Sequence, residues 1–235
     1  MVLLGCIVNA AAIIAGALIG ALLPSLNEQV QKTVVQGMAI ALCVLGVSMA
    51  MKTTMYVWMV MSLVVGGALG EWLGIERRFE QLGAWLERRM PARAGASPVG
   101  KAFVTASLVF CIGAMAILGS IDSGVRLNHD VLFAKSIMDG FLSIVFASTL
   151  GIGVLFSAAP VLLYQGGIAL AAMLFAGWFA PEAIEAVTAE VAAVGGVLIV
   201  GIGINLLELA KIRVANLLPA VVVMGVATAL LRHFG

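Results

Sequence analysis

Apolar segments long enough to cross a membrane occupy most of this chain of 235 residues. A hydrocarbon core of about 30 Å needs about 20 residues of α-helix, because each residue advances the helix by about 1.5 Å. Polar or proline-containing breaks separate such segments, which span residues 3–23, 33–51, 56–73, 102–119, 133–156, 161–179, 187–209 and 214–231. The pattern predicts an all-α, polytopic transmembrane helix bundle of about eight spans in a lipid bilayer.

Composition and motif content exclude several other classes of protein. The chain is 63% hydrophobic and 11% charged, whereas soluble domains average about 45–50% and about 25%. A net charge of +1 without a basic stripe argues against a nucleic-acid partner. Cys6, Cys43 and Cys111 are widely spaced within apolar segments, which is typical of buried small side chains and gives no metal or cofactor site. No nucleophile, phosphate-binding or zinc-protease motif occurs, so we expect no enzyme.

A basic connector lies between the third and fourth predicted spans, at residues 76–100. Its apolar residues recur at helical spacing, and arginines occupy the remaining positions, as at Arg77, Arg78, Arg88 and Arg89. This pattern favours an amphipathic helix on the membrane surface, followed by a linker at 91–100. A soluble partner that docks on the same helix is the alternative.

The distribution of Lys and Arg predicts the orientation of the chain in the membrane. If the arginine-rich connector is cytoplasmic, nine basic residues lie inside and four lie outside or at the outer edge. The positive-inside rule favours this arrangement. With eight spans both termini would face outward, and so would a loop that carries Glu182, Glu185 and Glu190.

The two ends of the chain resemble each other. A shift of 157 residues lays Pro24 on Pro181 without a gap and superimposes Glu28 on Glu185 and Gly46 on Gly203. Two three-helix copies separated in this way would cross the bilayer in opposite directions, an arrangement found in many secondary transporters. Chance matching of small apolar residues is the alternative.

The repeat gives a single membrane domain, 1–235, with four parts. Residues 1–75 form the first repeat, 76–100 the connector, 101–157 two central helices and 158–235 the second repeat.

Polar residues inside the predicted spans are the candidate binding site. Asn9, Gln165 and Asn205 carry amides that either bridge helices or coordinate a solute. Lys135 and Asp139 lie four residues apart, so they share one face of a helix and can pair. The pair is either structural, with the lysine reaching outward, or it places a cation-binding or titrating carboxylate at Asp139.

A divalent metal site is a further alternative for this region. Oxygen and nitrogen ligands from His129, Asp130 and Asp139 suit such an ion, but the spacing alone is weak evidence. The sequence therefore predicts no metal site.

Four stretches resemble the YqgA/YdfK-like family of bacterial inner-membrane proteins, a domain of unknown function. They are AKSIMDG, GIGVLFSAAPVLLYQG, VGGVLIVGIGINLLELAKIRVANLLPA and GCIVNAAAIIAGALIGALLP. The resemblance covers nearly the whole chain and is weakest from residue 76 to residue 100. It implies a multi-pass protein of the bacterial cytoplasmic membrane, and it implies no substrate and no binding residues.

Two functions are consistent with these features. The first is a transporter or channel for a small solute or ion, with a polar cavity lined by the amides and the Lys135/Asp139 pair. The second is a non-transporting scaffold or regulatory protein whose basic connector recruits a cytoplasmic partner. Faces rich in small residues are compatible with homo-oligomerisation.

Overall fold

The computed structural model describes residues 1–23, 28–89, 99–174 and 181–234. Within these ranges the chain forms ten α-helices and no strand: α1 Leu4–Leu22, α2 Glu28–Ala50, α3 Tyr56–Leu73, α4 Ile75–Arg89, α5 Val99–Cys111, α6 Ala114–Val125, α7 Asp130–Leu150, α8 Ala158–Leu174, α9 Pro181–Leu206 and α10 Pro219–Phe234. Short 3-10 helices at Ile152–Ser157 and Val214–Leu217 precede α8 and α10. Pro24, on which the predicted repeat begins, and most of the predicted linker lie outside the described residues.

The described helices confirm the predicted polytopic bundle. Seven helical segments are long and apolar enough to cross a membrane, and the α5–α6 pair makes an eighth if it forms one span. This pair covers the predicted span 102–119, which is a broken helix rather than a continuous one. The break follows Cys111, contains Gly113 and bends the chain by 61°. Glycine is unfavourable in a helix interior because it has the most backbone freedom to lose.

The predicted amphipathic helix is present as α4. It follows directly on α3, and the turn between them is made by Gly74, whose φ of 61° lies in the left-handed region that glycine adopts without strain. Arg77 and Arg78 are exposed near its start, and Leu82 and Trp85 are half-exposed one turn apart. The helix therefore offers both basic and apolar groups to its surroundings.

The described residues divide into two compact units. The first contains α1, α5, α7 and α8 with most of α6, and its most extensive helix pair is α1 with α7. A side chain on Gly16 would collide with the carbonyl oxygen of Gly140, and one on Gly20 would collide with that of Ile144. Because the contacts advance in the same direction on both helices, α1 and α7 run parallel. Small residues allow this close backbone approach.

The second unit contains α3, α9, α10 and most of α2. A side chain on Gly46 would meet the carbonyl oxygen of Gly196, and one on Gly203 would meet that of Ala39. Later residues of α2 therefore contact earlier residues of α9, so the two helices pack antiparallel. Adding 157 to Ala39 and Gly46 gives Gly196 and Gly203, so the predicted repeat shift converts one contact into the other.

The contacts next to these two glycines on α2 and α9 are also related by the 157-residue shift. A Cβ on Gly46 would lie 2.8 Å from the backbone nitrogen of Val200, and a Cβ on Gly203 would lie 3.3 Å from that of Cys43. Cys43 and Val200 are themselves 157 residues apart, and the Cys43 thiol lies 3.9 Å from the Val200 carbonyl oxygen.

Candidate functional site

The first unit encloses an ion pair on α7. The ammonium nitrogen of Lys135 lies 2.8 and 2.6 Å from the two carboxylate oxygens of Asp139. Their side chains are only 9% and 5% exposed. The pair forms because residues four apart lie on one face of a helix, as the sequence predicts. Each charge offsets the cost of burying the other, which would be several kcal/mol for an unpaired ion.

Two amides from other helices extend this pair into a network. The Asn9 side chain on α1 donates from Nδ2 to Asp139 Oδ2 at 3.0 Å and to Gln165 Oε1 on α8 at 3.2 Å. Both amide side chains belong to fully buried residues. Four of the five residues predicted as a site are therefore joined by hydrogen bonds across α1, α7 and α8.

The carboxylate of Asp139 sets the direction of every hydrogen bond in this network. An ionised carboxylate only accepts, so Asn9 must turn its NH₂ group toward it. The second N–H of that group then points to the oxygen of Gln165. The network therefore leaves an oxygen open on Asn9 and an NH₂ group open on Gln165.

Among the described residues, three buried polar atoms on α1, α7 and α8 have no hydrogen-bond partner: Asn9 Oδ1, Gln165 Nε2 and the hydroxyl of Ser143. Ser143 is fully buried on α7, one turn beyond Asp139. Leaving a buried donor or acceptor without a partner costs about 1–3 kcal/mol each. Native proteins satisfy most such groups with protein partners or ordered water, so each of these three atoms requires an explanation.

The broken helix ends next to this network. The first half of the broken helix, α5, packs against both α7 and α8 in the first unit. An α-helix leaves its last carbonyl groups without intrahelical partners, which gives this end a partial negative charge.

Asn205, the fifth predicted site residue, belongs to the second unit. Its side chain donates to the carbonyl oxygen of Ile212 at 2.7 Å and accepts from the N–H of the same residue at 2.8 Å. It therefore holds the turn that follows α9.

The residues of the alternative metal site are placed differently. The His129 Nδ1 atom lies 2.8 Å from the hydroxyl of Ser123, and Asp139 is held by Lys135. Within the described ranges no group of three His, Cys, Asp or Glu side chains could hold a metal ion.

Glu190 is a second buried acid and belongs to the second unit. The predicted orientation places it in an outer loop, although it also falls within the predicted span 187–209. It lies instead within α9 and is 4% exposed. Its carboxylate accepts from both hydroxyls of Thr53 and Thr54 and from the Thr54 N–H at 2.9 Å. These donors belong to the turn between α2 and α3. The apolar run that surrounds Glu190 was the signal for its helical position.

Replacing Glu190 by Gln is expected to lower the free energy of unfolding by about 1–3 kcal/mol, because an amide presents one acceptor oxygen where the carboxylate presents two. Unfolding in mixed micelles measures the change. Glu185→Gln is the matched control, since Glu185 is exposed on the same helix and surface changes stay within about 0.5 kcal/mol. Equal stability of the two variants would contradict a structural role for Glu190.

A third polar cluster, also in the second unit, joins the start of α4 to the turn before α10. The N–H of Glu76 donates to Asn216 Oδ1 at 2.7 Å, and Asn216 Nδ2 donates to Glu71 at 2.6 Å. Glu71 also pairs with Arg213, but both side chains are more than half exposed. Exposed pairs contribute at most about 1 kcal/mol.

The long apolar helices and the buried polar network together define a multi-pass helical membrane protein. The chain belongs to the family described as protein of unknown function (DUF554), whose sequence model matches residues 4–229. This confirms the resemblance found in the sequence.

Two relatives extend over nearly the whole chain. The chain is 30% identical to the "Uncharacterized membrane protein YdfK" of Bacillus subtilis (strain 168), over 98% of both chains. It is 28% identical to the "Uncharacterized protein YqgA" of Escherichia coli (strain K12), over 92% of both. No solved structure matches the chain.

Proposed function

We propose that this protein is a transporter or channel of the bacterial inner membrane, and that it moves a small polar solute or ion past Asn9, Lys135, Asp139 and Gln165. The observation that carries the proposal is that Asn9 and Gln165, which hydrogen bonds join to a buried ion pair, each keep a buried polar atom without a partner among the described residues. Ionisable residues inside a membrane usually face a pathway or a watery cavity.

A network that only joins helices accounts for the bonds, and it leaves these atoms without a partner among the described residues. Amides that bridge membrane helices stabilise them by about 0.6–2 kcal/mol through the bonds they make. Here Asn9 and Gln165 each keep one polar atom unsatisfied, at a cost of about 1–3 kcal/mol each. A bound solute would satisfy these atoms and remove that cost.

The contacts between α2 and α9 support an inverted repeat. The 157-residue shift exchanges the Gly46 contact with the Gly203 contact, as expected for two antiparallel helices related by a two-fold axis. An axis that relates antiparallel membrane helices lies in the membrane plane. Repeats related in this way are typical of secondary transporters, whose binding sites lie near the midplane and next to broken helices.

The direction of α7 supports the same topology. If α1, α2 and α3 each cross the membrane, the chain leaves α3 on the side opposite to its start. Because α7 runs parallel to α1, the chain must cross back before α7 begins. The broken α5–α6 pair is the segment that would make this crossing. Then α8 enters from the side opposite to α1, as an inverted repeat requires.

A screen for thermal stabilisation tests the proposal on the purified protein. A ligand present at about 100 times its dissociation constant adds about 2.7 kcal/mol to the stability of the state that binds it. We expect at least one solute or ion to raise the unfolding temperature of the wild type. The Asp139→Asn and Gln165→Met variants should lose this rise.

The control variant is Ser120→Ala. Ser120 is fully buried like Ser143, but its hydroxyl donates to the Ala116 carbonyl oxygen at 2.6 Å within α6. This variant should keep the ligand-dependent rise. A ligand that stabilises all four proteins equally would place its binding site elsewhere and contradict the proposed one.

A scaffold or regulatory protein is the second candidate, favoured by the half-exposed Leu82 and Trp85 on α4. Exposed apolar groups beside arginines would suit an acidic cytoplasmic partner. Deleting residues 76–100 separates the two functions. A transporter should retain solute flux after the deletion, whereas a scaffold should lose its partner and have no flux to retain.

A further inference from the structure

We infer that the ligand of this site is a small uncharged molecule of the amide or urea type, which carries both hydrogen-bond donors and acceptors. The inference rests on the proposed function and narrows it, because it excludes inorganic ions as the transported species. It follows from the charge, the polarity and the closure of the buried network.

Charge balance is the first argument. Lys135 neutralises Asp139 through contacts with both carboxylate oxygens. Within the described residues no other charged side chain belongs to the network, so its net charge is zero. A bound ion would bring an uncompensated charge into a medium of low dielectric constant, which is strongly unfavourable. A neutral ligand brings no such cost.

The polarity of the open atoms is the second argument. Asp139 turns the two amides so that Asn9 presents an acceptor and Gln165 presents a donor. The hydroxyl of Ser143 both donates and accepts. A cation would be attracted by the Asn9 oxygen and repelled by the Gln165 NH₂ group. An anion would be repelled by the oxygen and attracted by the NH₂ group. A molecule with a carbonyl oxygen and N–H groups matches both.

Closure of the site limits the size of the ligand. Asn9, Gln165 and Ser143 are all fully buried. Ser143 lies four residues beyond Asp139, which is about 6 Å along the helix. Asn9 and Gln165 are joined directly by a hydrogen bond of 3.2 Å, so a ligand that bonds both amides is only a few atoms long, as acetamide and urea are.

Entry of acetamide and urea into reconstituted vesicles tests the inference. Stopped-flow light scattering follows the swelling that accompanies solute entry, and planar bilayers with the same protein report currents of Na⁺, K⁺ and Cl⁻. We expect vesicles with the wild-type protein to admit acetamide at least about tenfold faster than empty vesicles, without ion currents.

Ser143 and Ser120 supply the test variant and its matched control. Ser143→Ala removes an open hydroxyl and should slow amide entry by about tenfold, whereas Ser120→Ala removes a hydroxyl bonded within its own helix and should leave the rate unchanged. Both are small truncations of fully buried serines.

The outcomes separate this inference from the proposed function. Ion currents without amide entry would overturn the ligand class and leave transport standing. Entry of neither amides nor ions would count against both. Amide entry that is equally fast in Ser143→Ala and Ser120→Ala would overturn the assignment of the pathway to this site.

Discussion

The Lys135→Met variant is expected to lose about 3–5 kcal/mol of its free energy of unfolding, the cost of leaving a buried charge without its partner. The Asp139 carboxylate would keep one bond, from Asn9 at 3.0 Å, and lose both contacts with the ammonium group. It would then have to remain charged in an apolar interior or take up a proton. Unfolding in mixed micelles measures the loss.

A double variant isolates the charge from the packing. Adding Asp139→Asn to Lys135→Met removes the unpaired charge and keeps an oxygen that accepts from Asn9. Replacing both members of a buried ion pair is often nearly neutral, so the double variant should regain most of the lost stability. The control is Lys52→Met, an exposed lysine, which should change stability by no more than about 0.5 kcal/mol. A double variant as unstable as the single one would show that the unpaired charge of Asp139 is not the source of the loss.

Gly46→Val and Gly203→Val are expected to destabilise the protein by similar amounts, about 3 kcal/mol each. Both glycines face the backbone of the opposite helix, where an added side chain would meet a carbonyl oxygen and a backbone nitrogen. Overpacking of such contacts typically costs about 1–3 kcal/mol and more where the backbone has to move. The two costs should match because the 157-residue shift relates the two surroundings.

Gly37→Ala is the control on the same helix as Gly46. Nothing lies within 4 Å of the position that its Cβ would occupy. Alanine is favoured over glycine in a helix interior by about 1 kcal/mol, so this variant should be slightly more stable than the wild type. If Gly203→Val proved as harmless as Gly37→Ala while Gly46→Val unfolded the protein, the symmetry between α2 and α9 would be superficial.

Local features of the sequence determined the span pattern and the ion pair. Every membrane-spanning helix is surrounded by the same hydrocarbon core of the bilayer. Length and hydropathy therefore identify a span wherever it occurs in the sequence. The pairing of Lys135 with Asp139 follows from the pitch of a single helix. The amphipathic helix α4 was predictable for the same reason, since its period is a property of consecutive residues.

Only the tertiary structure shows which residues surround the pair formed by Lys135 and Asp139. Asn9 lies 130 positions before Asp139 and Gln165 lies 156 positions after Asn9, and hydropathy does not encode which faces of distant helices meet. The sequence predicted each amide as a candidate, and it assigned Asn205 to the same set.

Close packing decided which candidates meet. Gly16 and Gly20 allow α1 to lie against α7, and this contact carries Asn9 to the carboxylate. The position of Glu190 against the turn before α3 depends in the same way on neighbours far along the chain. Sequence by itself determined which segments enter the membrane, because insertion depends on the length and hydropathy of each segment alone. Only the tertiary structure decided which polar groups share an interior, because that depends on how closely particular backbones approach one another.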